Sequence, residues 1–137
     1  MIYLTRRERF SAAHRMYRED WSREENFRVF GKCSNPNWHG HNYILYVTIK
    51  GTASAETGFV MNLAGLKQIM HDAVISKLDH KNINLEVDFM KGMIATTENL
   101  AIAIWNELEP LISVRGARLH CVRIEETENN SVEYYGE

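Results

Sequence analysis

Apolar and polar residues alternate along two stretches of the chain and recur with helical spacing along two others. Residues 2–10, rich in Ile, Tyr, Leu, Thr and Phe, read as a strand. From His41 to Gly51 the alternation puts His41, Tyr43, Leu45, Val47 and Ile49 on one face of a second strand. Between them, Ser22 stands three positions before Glu25, the spacing of a capping box, and predicts a short helix from Ser22 to Phe30. Residues 31–40, Gly-Lys-Cys-Ser-Asn-Pro-Asn-Trp-His-Gly, are turn formers and predict a loop. Asn62 is a good N-cap, and Leu63, Leu66, Met70, Ala73 and Val74 form the apolar stripe of a helix ending near Leu78. Residues 80–95 read as mostly irregular. A further helix starts at Thr96 or Thr97, carries Leu100, Ile104 and Leu108, and ends near Pro110. Residues 117–127 form a strand with Val122, Ile124 and Glu126 on one face, and Cys121 on the Leu119 face reads as a small core residue. Asn129-Asn130 marks a turn, and residues 131–135 return as a last antiparallel strand. Strands at both ends with helices between them predict an α+β domain: a four-stranded antiparallel sheet, ββααββ, with helices on one face.

Composition narrows the class without changing that picture. The chain has 137 residues, enough for one domain spanning 1–137. No linker or repeat divides it. The apolar fraction of 45% and charged fraction of 25% exclude disorder and low complexity. Sixteen basic residues against eighteen acidic ones give a net charge of -2, so there is no excess to neutralise a nucleic-acid backbone. No apolar run has the length of a membrane span, and the N-terminus carries no signal-peptide pattern. Two cysteines, Cys33 and Cys121, are too few for a disulfide scaffold, which points to a reducing cytoplasm.

The six histidines carry the candidate chemistry. His39-Gly40-His41 on an extended chain presents two imidazoles to one side, and Gly40 leaves room beside the backbone for an ion. Counting by twos from Phe10 through Ala12 brings His14 to the same face as the preceding apolar residue, provided the first strand persists that far. Three histidines with an open fourth position make the arrangement of catalytic zinc. Chance pairing of ordinary histidines is the competing reading. Cys33 reads as a zinc ligand, a reactive base or nucleophile, or an inert thiol. Asp79-His80 suits proton transfer, and equally a helix C-terminus. Glu126 either sits exposed at a strand end or meets the paired N–H groups of a planar ligand such as a pterin. Thr96, Thr97 and Glu98 read as a helix cap or as ligand contacts. The arginines at 6, 7 and 9 read as solvated, and could also meet a polyphosphate.

Taken in order, Phe10-Ser11-Ala12-Ala13-His14, Phe30 through Tyr43, Leu78-Asp79-His80-Lys81-Asn82, Thr96-Thr97-Glu98-Asn99, Glu126 through Asn130 and the closing Tyr135-Gly136-Glu137 resemble the 6-pyruvoyl-tetrahydropterin synthase family nearly end to end. The resemblance implies zinc on His14, His39 and His41. It implies Cys33 as the catalytic base, completed by Asp79 and His80. It implies Glu126 as the anchor of the pterin ring, assisted by Thr96, Thr97 and Glu98. The implied fold is the tunnelling fold, in which subunits join their sheets into a barrel. The family forms a hexamer of two trimers with active sites between subunits. The implied reaction takes 7,8-dihydroneopterin triphosphate to 6-pyruvoyl-tetrahydropterin and triphosphate. A sister branch, 6-carboxy-tetrahydropterin synthase, makes the queuosine precursor from the same substrate. Its usual spacing between the Cys and His-Gly-His is shorter than the five residues found here, Ser34 to Trp38. A non-catalytic zinc- or pterin-binding homologue is a third reading. One departure is Trp38, where the family commonly has Gly, and its indole would narrow the pocket beside His39.

Overall fold

Two long strands dominate the computed structural model, which describes residues 1–137. Strand β1 spans Ile2–His14 and β2 spans His39–Gly51. They pair antiparallel along their whole length, from Ile2 opposite Gly51 to His14 opposite His39. Both therefore run further than their periodicity predicts. Ala13-His14 and His39-Gly40 have little β preference of their own, but each pair completes the other's backbone hydrogen bonds. The period of two buries Phe10, Ala12 and His14 of β1 and Tyr43, Leu45 and Val47 of β2 beneath the helices.

Helix α1, Arg23–Phe30, is capped by Ser22, whose Oγ accepts the Glu25 N–H at 3.1 Å. Only this half of the expected box forms. The Glu25 carboxylate turns forward to the Arg28 guanidinium instead. The predicted helix after Asn62 is one continuous helical stretch with a wide turn inside it: α2, Leu63–Met70, a π turn at His71–Ile75, and α3, Ser76–Leu78. Leu66, Met70, Ala73 and Val74 are buried as expected, whereas Leu63 in the first turn is exposed.

The segment expected to be irregular holds a short strand β3, Lys81–Asn82, and a helical turn α4, Ile83–Glu86. β3 pairs parallel with Ala12-Ala13, so the sheet has five strands rather than four and is mixed rather than purely antiparallel. A two-residue bridge leaves no periodicity in sequence. Helix α5, Thr97–Ser113, runs past Pro110 because Ile112 beyond it is fully buried. Strands β4, Arg118–Thr127, and β5, Asn130–Tyr134, complete the order β3-β1-β2-β4-β5.

A register shift in β4 corrects one expectation. Thr48 faces Cys121 but Ile49 faces Leu119, so His120 is an extra residue. The bulge moves Cys121 off the Leu119 face; it is buried as expected, but its thiol meets the Tyr135 side chain outside the main apolar cluster. Gly136 (φ +82°) lies against Trp105, whose indole a Cβ would strike. No helix is long and apolar enough to cross a membrane.

Candidate active site

His14 ends β1, and His39 and His41 open β2, all on the face beneath the helices. Their ring centroids lie 4.6, 5.1 and 5.2 Å apart, and their ligand nitrogens all fall within 4.8 Å of one another. The His14 ring is buried, and its Nδ1–H donates to the Ala95 carbonyl at 2.7 Å. That bond fixes the tautomer and leaves Nε2 with a lone pair. Nε2 of His14 and of His41 are buried without a hydrogen-bond partner. Unpartnered acceptors in a protein interior are costly, so their convergence calls for a ligand. Burial pushes the His14 imidazole below its ordinary pKa, against the pull of the Ala95 carbonyl, and burial with the neighbouring His41 does the same to His39. Imidazoles of this number and spacing fit a divalent ion such as zinc.

Gly40 serves a different purpose from the one expected. It points away from the histidines, and a Cβ there would lie 3.2 Å from the Ala12 carbonyl oxygen. The glycine permits close approach of β1 and β2 rather than room for an ion.

Glu126 follows the buried Val122 and Ile124 on β4. Its carboxylate oxygens lie 4.0 Å from His14 Nε2 and 3.9 Å from His41 Nε2. Thr97 Oγ1 donates to it at 2.5 Å. Thr97, Glu98 and Glu126 line a cavity of about 350 Å³ together with Met16, Asn130 and Ser131. Thr96 stands apart from this group, because its Oγ1 accepts the Asn99 N–H as the cap of α5. The buried Tyr43 hydroxyl, two positions beyond His41, has no partner. Burial pushes it well above the usual tyrosine range, and the Glu126 charge adds to the shift. The alternation His39, His41, Tyr43 was the sequence signal for this polar group. Nothing in the sequence signalled Ala95, which acts through its backbone.

Cys33 sits in a short turn after α1, where its carbonyl accepts the Met16 N–H at 2.8 Å. Its thiol stays outside the histidine cluster, so the closed four-ligand site of a structural zinc is not formed. Asp79 and His80 pair with each other, Oδ2 to Nδ1, at 3.1 Å. Asp79 Oδ1 accepts the Ser11 N–H at 2.9 Å, which holds the carboxyl below its ordinary range, and the His80 N–H donates to the Ser11 carbonyl at 2.6 Å. These bonds hold His80 at φ +60°, an uncommon backbone for a side chain of this size. Its imidazole is 83% exposed, in an open cavity of about 440 Å³ shared with Ser11, Asn42 and Lys81. No hydrogen bond or ion pair joins this pair to Cys33, Glu126 or the three histidines within one chain.

The model of the 6-pyruvoyl tetrahydropterin synthase family matches residues 3–137. The chain is 48% identical over 134 residues to the 6-pyruvoyl tetrahydrobiopterin synthase of Pongo abelii, covering 98% of this chain and 91% of that protein. It is 28% identical over 117 residues to the 6-carboxy-5,6,7,8-tetrahydropterin synthase of Bacillus subtilis (strain 168), covering 83% and 70%. The structure of Caenorhabditis elegans 6-pyruvoyl tetrahydropterin synthase superposes with a TM-score of 0.92 at 39% identity, over 99% of this chain and 96% of that one. With the histidine cluster, the carboxylate beside it and this end-to-end match, the chain belongs to the 6-pyruvoyl tetrahydropterin synthase family.

Proposed function

We propose that the protein is a lyase that converts 7,8-dihydroneopterin triphosphate to 6-pyruvoyl-tetrahydropterin with release of triphosphate. The observation that carries this reading is the convergence of three imidazoles beside Glu126 in a chain of this family. The alternative product, 6-carboxy-tetrahydropterin, is disfavoured by the five-residue spacing before His39 and by the lower identity to the carboxy-forming relative.

His14, His39 and His41 would hold zinc, which supplies Lewis acidity to the substrate's side-chain oxygens. Glu126, oriented by Thr97, accepts the paired N–H groups of the pterin ring. Cys33 as thiolate takes a proton from the side chain. His80, whose Nδ1 is held by Asp79, presents Nε2 to carry a proton to or from the substrate. Elimination of triphosphate and redistribution of protons and electrons within one side chain complete the change, so no external oxidant or reductant is required. The exposed position of Asp79-His80, unlinked to the other residues of its own chain, supports a site assembled between subunits of a hexamer. The same reading treats residues 1–137 as one domain and, with both cysteines free, places it in the cytoplasm.

The test is to incubate the zinc-loaded protein with dihydroneopterin triphosphate, weigh the pterin product by mass spectrometry and assay triphosphate. The pyruvoyl mass is expected. The carboxy product with acetaldehyde, or full turnover by the Cys33→Ala protein after chelation, would overturn it.

A further inference from the structure

Arg15 follows His14 directly, and its guanidinium is held but unused. The guanidinium carbon lies 4.2 Å from the centroid of the Tyr17 ring and 4.6 Å from that of Trp38. Its backbone is fixed at both ends by Asn84, whose Oδ1 accepts the Arg15 N–H at 3.0 Å and whose Nδ2 donates to the Arg15 carbonyl at 2.9 Å. The side chain is only 18% exposed. Yet none of its guanidinium N–H groups makes a hydrogen bond. The nearest carboxylate, Glu19, stands 3.7 Å away on a side chain that is 88% exposed. Arg18 in the same cavity is the contrast, with both Asp20 oxygens bonded at 2.9 and 2.6 Å.

The cavity measures about 570 Å³, the size of a small-molecule site. Three of its walls, Arg15, Trp38 and Ile94, are the immediate chain neighbours of His14, His39 and the Ala95 that fixes His14. Arg15 and Tyr17 line it, whereas Met16 between them lines the cavity that holds Glu126. Segment 15–17 thus divides this cavity, walled by chain neighbours of His14 and His39, from the one lined by Glu126, whose carboxylate lies 4.0 and 3.9 Å from His14 and His41. A substrate with a ring, a short side chain and a polyphosphate has its parts in that order. Trp38 takes up a left-handed backbone, φ +66°, which is rare for a bulky residue. In that conformation its ring reaches the Arg15 guanidinium. Rings over a guanidinium leave its planar N–H edge free for bidentate contact with phosphate.

We propose that Arg15, held by Tyr17 and Trp38, binds the phosphate chain of the substrate and so selects a phosphorylated side chain. The inference rests on the pterin triphosphate reading above. Glu19 marks the position of the incoming anion and competes with it.

Inorganic triphosphate and phosphate-free 7,8-dihydroneopterin, each titrated calorimetrically into the zinc-loaded protein, separate the two readings. Arg15→Gln should weaken triphosphate binding at least tenfold and leave dihydroneopterin binding unchanged. Arg15→Lys, a point charge without the fork, should fall between. Glu19→Gln, on an exposed side chain that does not threaten folding, should tighten triphosphate binding. In turnover, Arg15→Gln should raise KM more than it lowers kcat. Equal triphosphate binding by wild type and Arg15→Gln, or equal losses for both ligands, would overturn the assignment. So would an unchanged affinity in Glu19→Gln. Failure of wild type to turn over the substrate would instead strike the functional reading, since the triphosphate comparison does not depend on turnover.

Discussion

At His14 the backbone chooses the chemistry. The Ala95 carbonyl takes the Nδ1 proton, so Nε2 faces His39 and His41 as an acceptor. His41→Ala should lower zinc affinity by more than roughly 100-fold, beyond the loss typical of an outer partner, as read by competition with a chromophoric chelator. Turnover should fall with it. Glu126 depends in turn on Thr97. Hydrogen bonds to charged groups contribute about 1.5–3 kcal/mol, so Thr97→Val should raise KM roughly tenfold while zinc content stays at the wild-type level. An unchanged KM would remove Thr97 from the ring-binding role. The histidines and Glu126 were legible because alternation places them on one face. The separate duties of Thr96 and Thr97 were not, since adjacent hydroxyls differ only in what the fold sets beside them.

Among the elements, α1 connects sequence to site most directly. It ends in the turn that carries Cys33, and Ser22 alone caps its start. Ser22→Ala should cost about 1 kcal/mol, read as a lower urea midpoint with an unchanged slope. The three histidines proposed to hold zinc sit on strands, and metal affinity should be unchanged in this variant. Apolar periodicity located α2 and α5 correctly because both bury one stripe against the sheet. It missed the π turn, the extension past Pro110 and strand β3, which are settled by burial of Ile112 and by pairing with Ala12-Ala13.

Across the whole molecule, the chemistry falls into two groups. The histidines, Glu126 and Thr97 lie together, while Asp79 is tied to the β1 backbone at Ser11 and holds an exposed His80 apart from them. If subunits share sites, mixing two inactive proteins, His41→Ala and His80→Ala, should restore activity. Random reassembly makes roughly a quarter of the sites whole. Recovery should appear only after dissociation and reassembly, and none at all would confine the site to one chain. Acid should also act on the whole fold. His14 and His39 have lowered pKa values in the folded protein, so the unfolded chain binds more protons below its own value of about 6.5. Stability of the metal-free protein should therefore be fully present at pH 8 and decline as pH falls through about 6.5. A thermal midpoint that holds steady from pH 8 to 5 would contradict this.

Sequence alone determined what repeats locally: which residues face the core at periods of 2 and 3.6, and that His14, His39 and His41 could share a face. Tertiary structure decided what depends on distant partners. It extended β1 to His14, fixed that ring through a carbonyl 81 positions away, turned Cys121 off the core face and set Trp38 against Arg15. The reason is physical: side-chain direction follows from the local backbone, whereas the partner of a hydrogen bond or a charge is chosen only when separate stretches of chain meet.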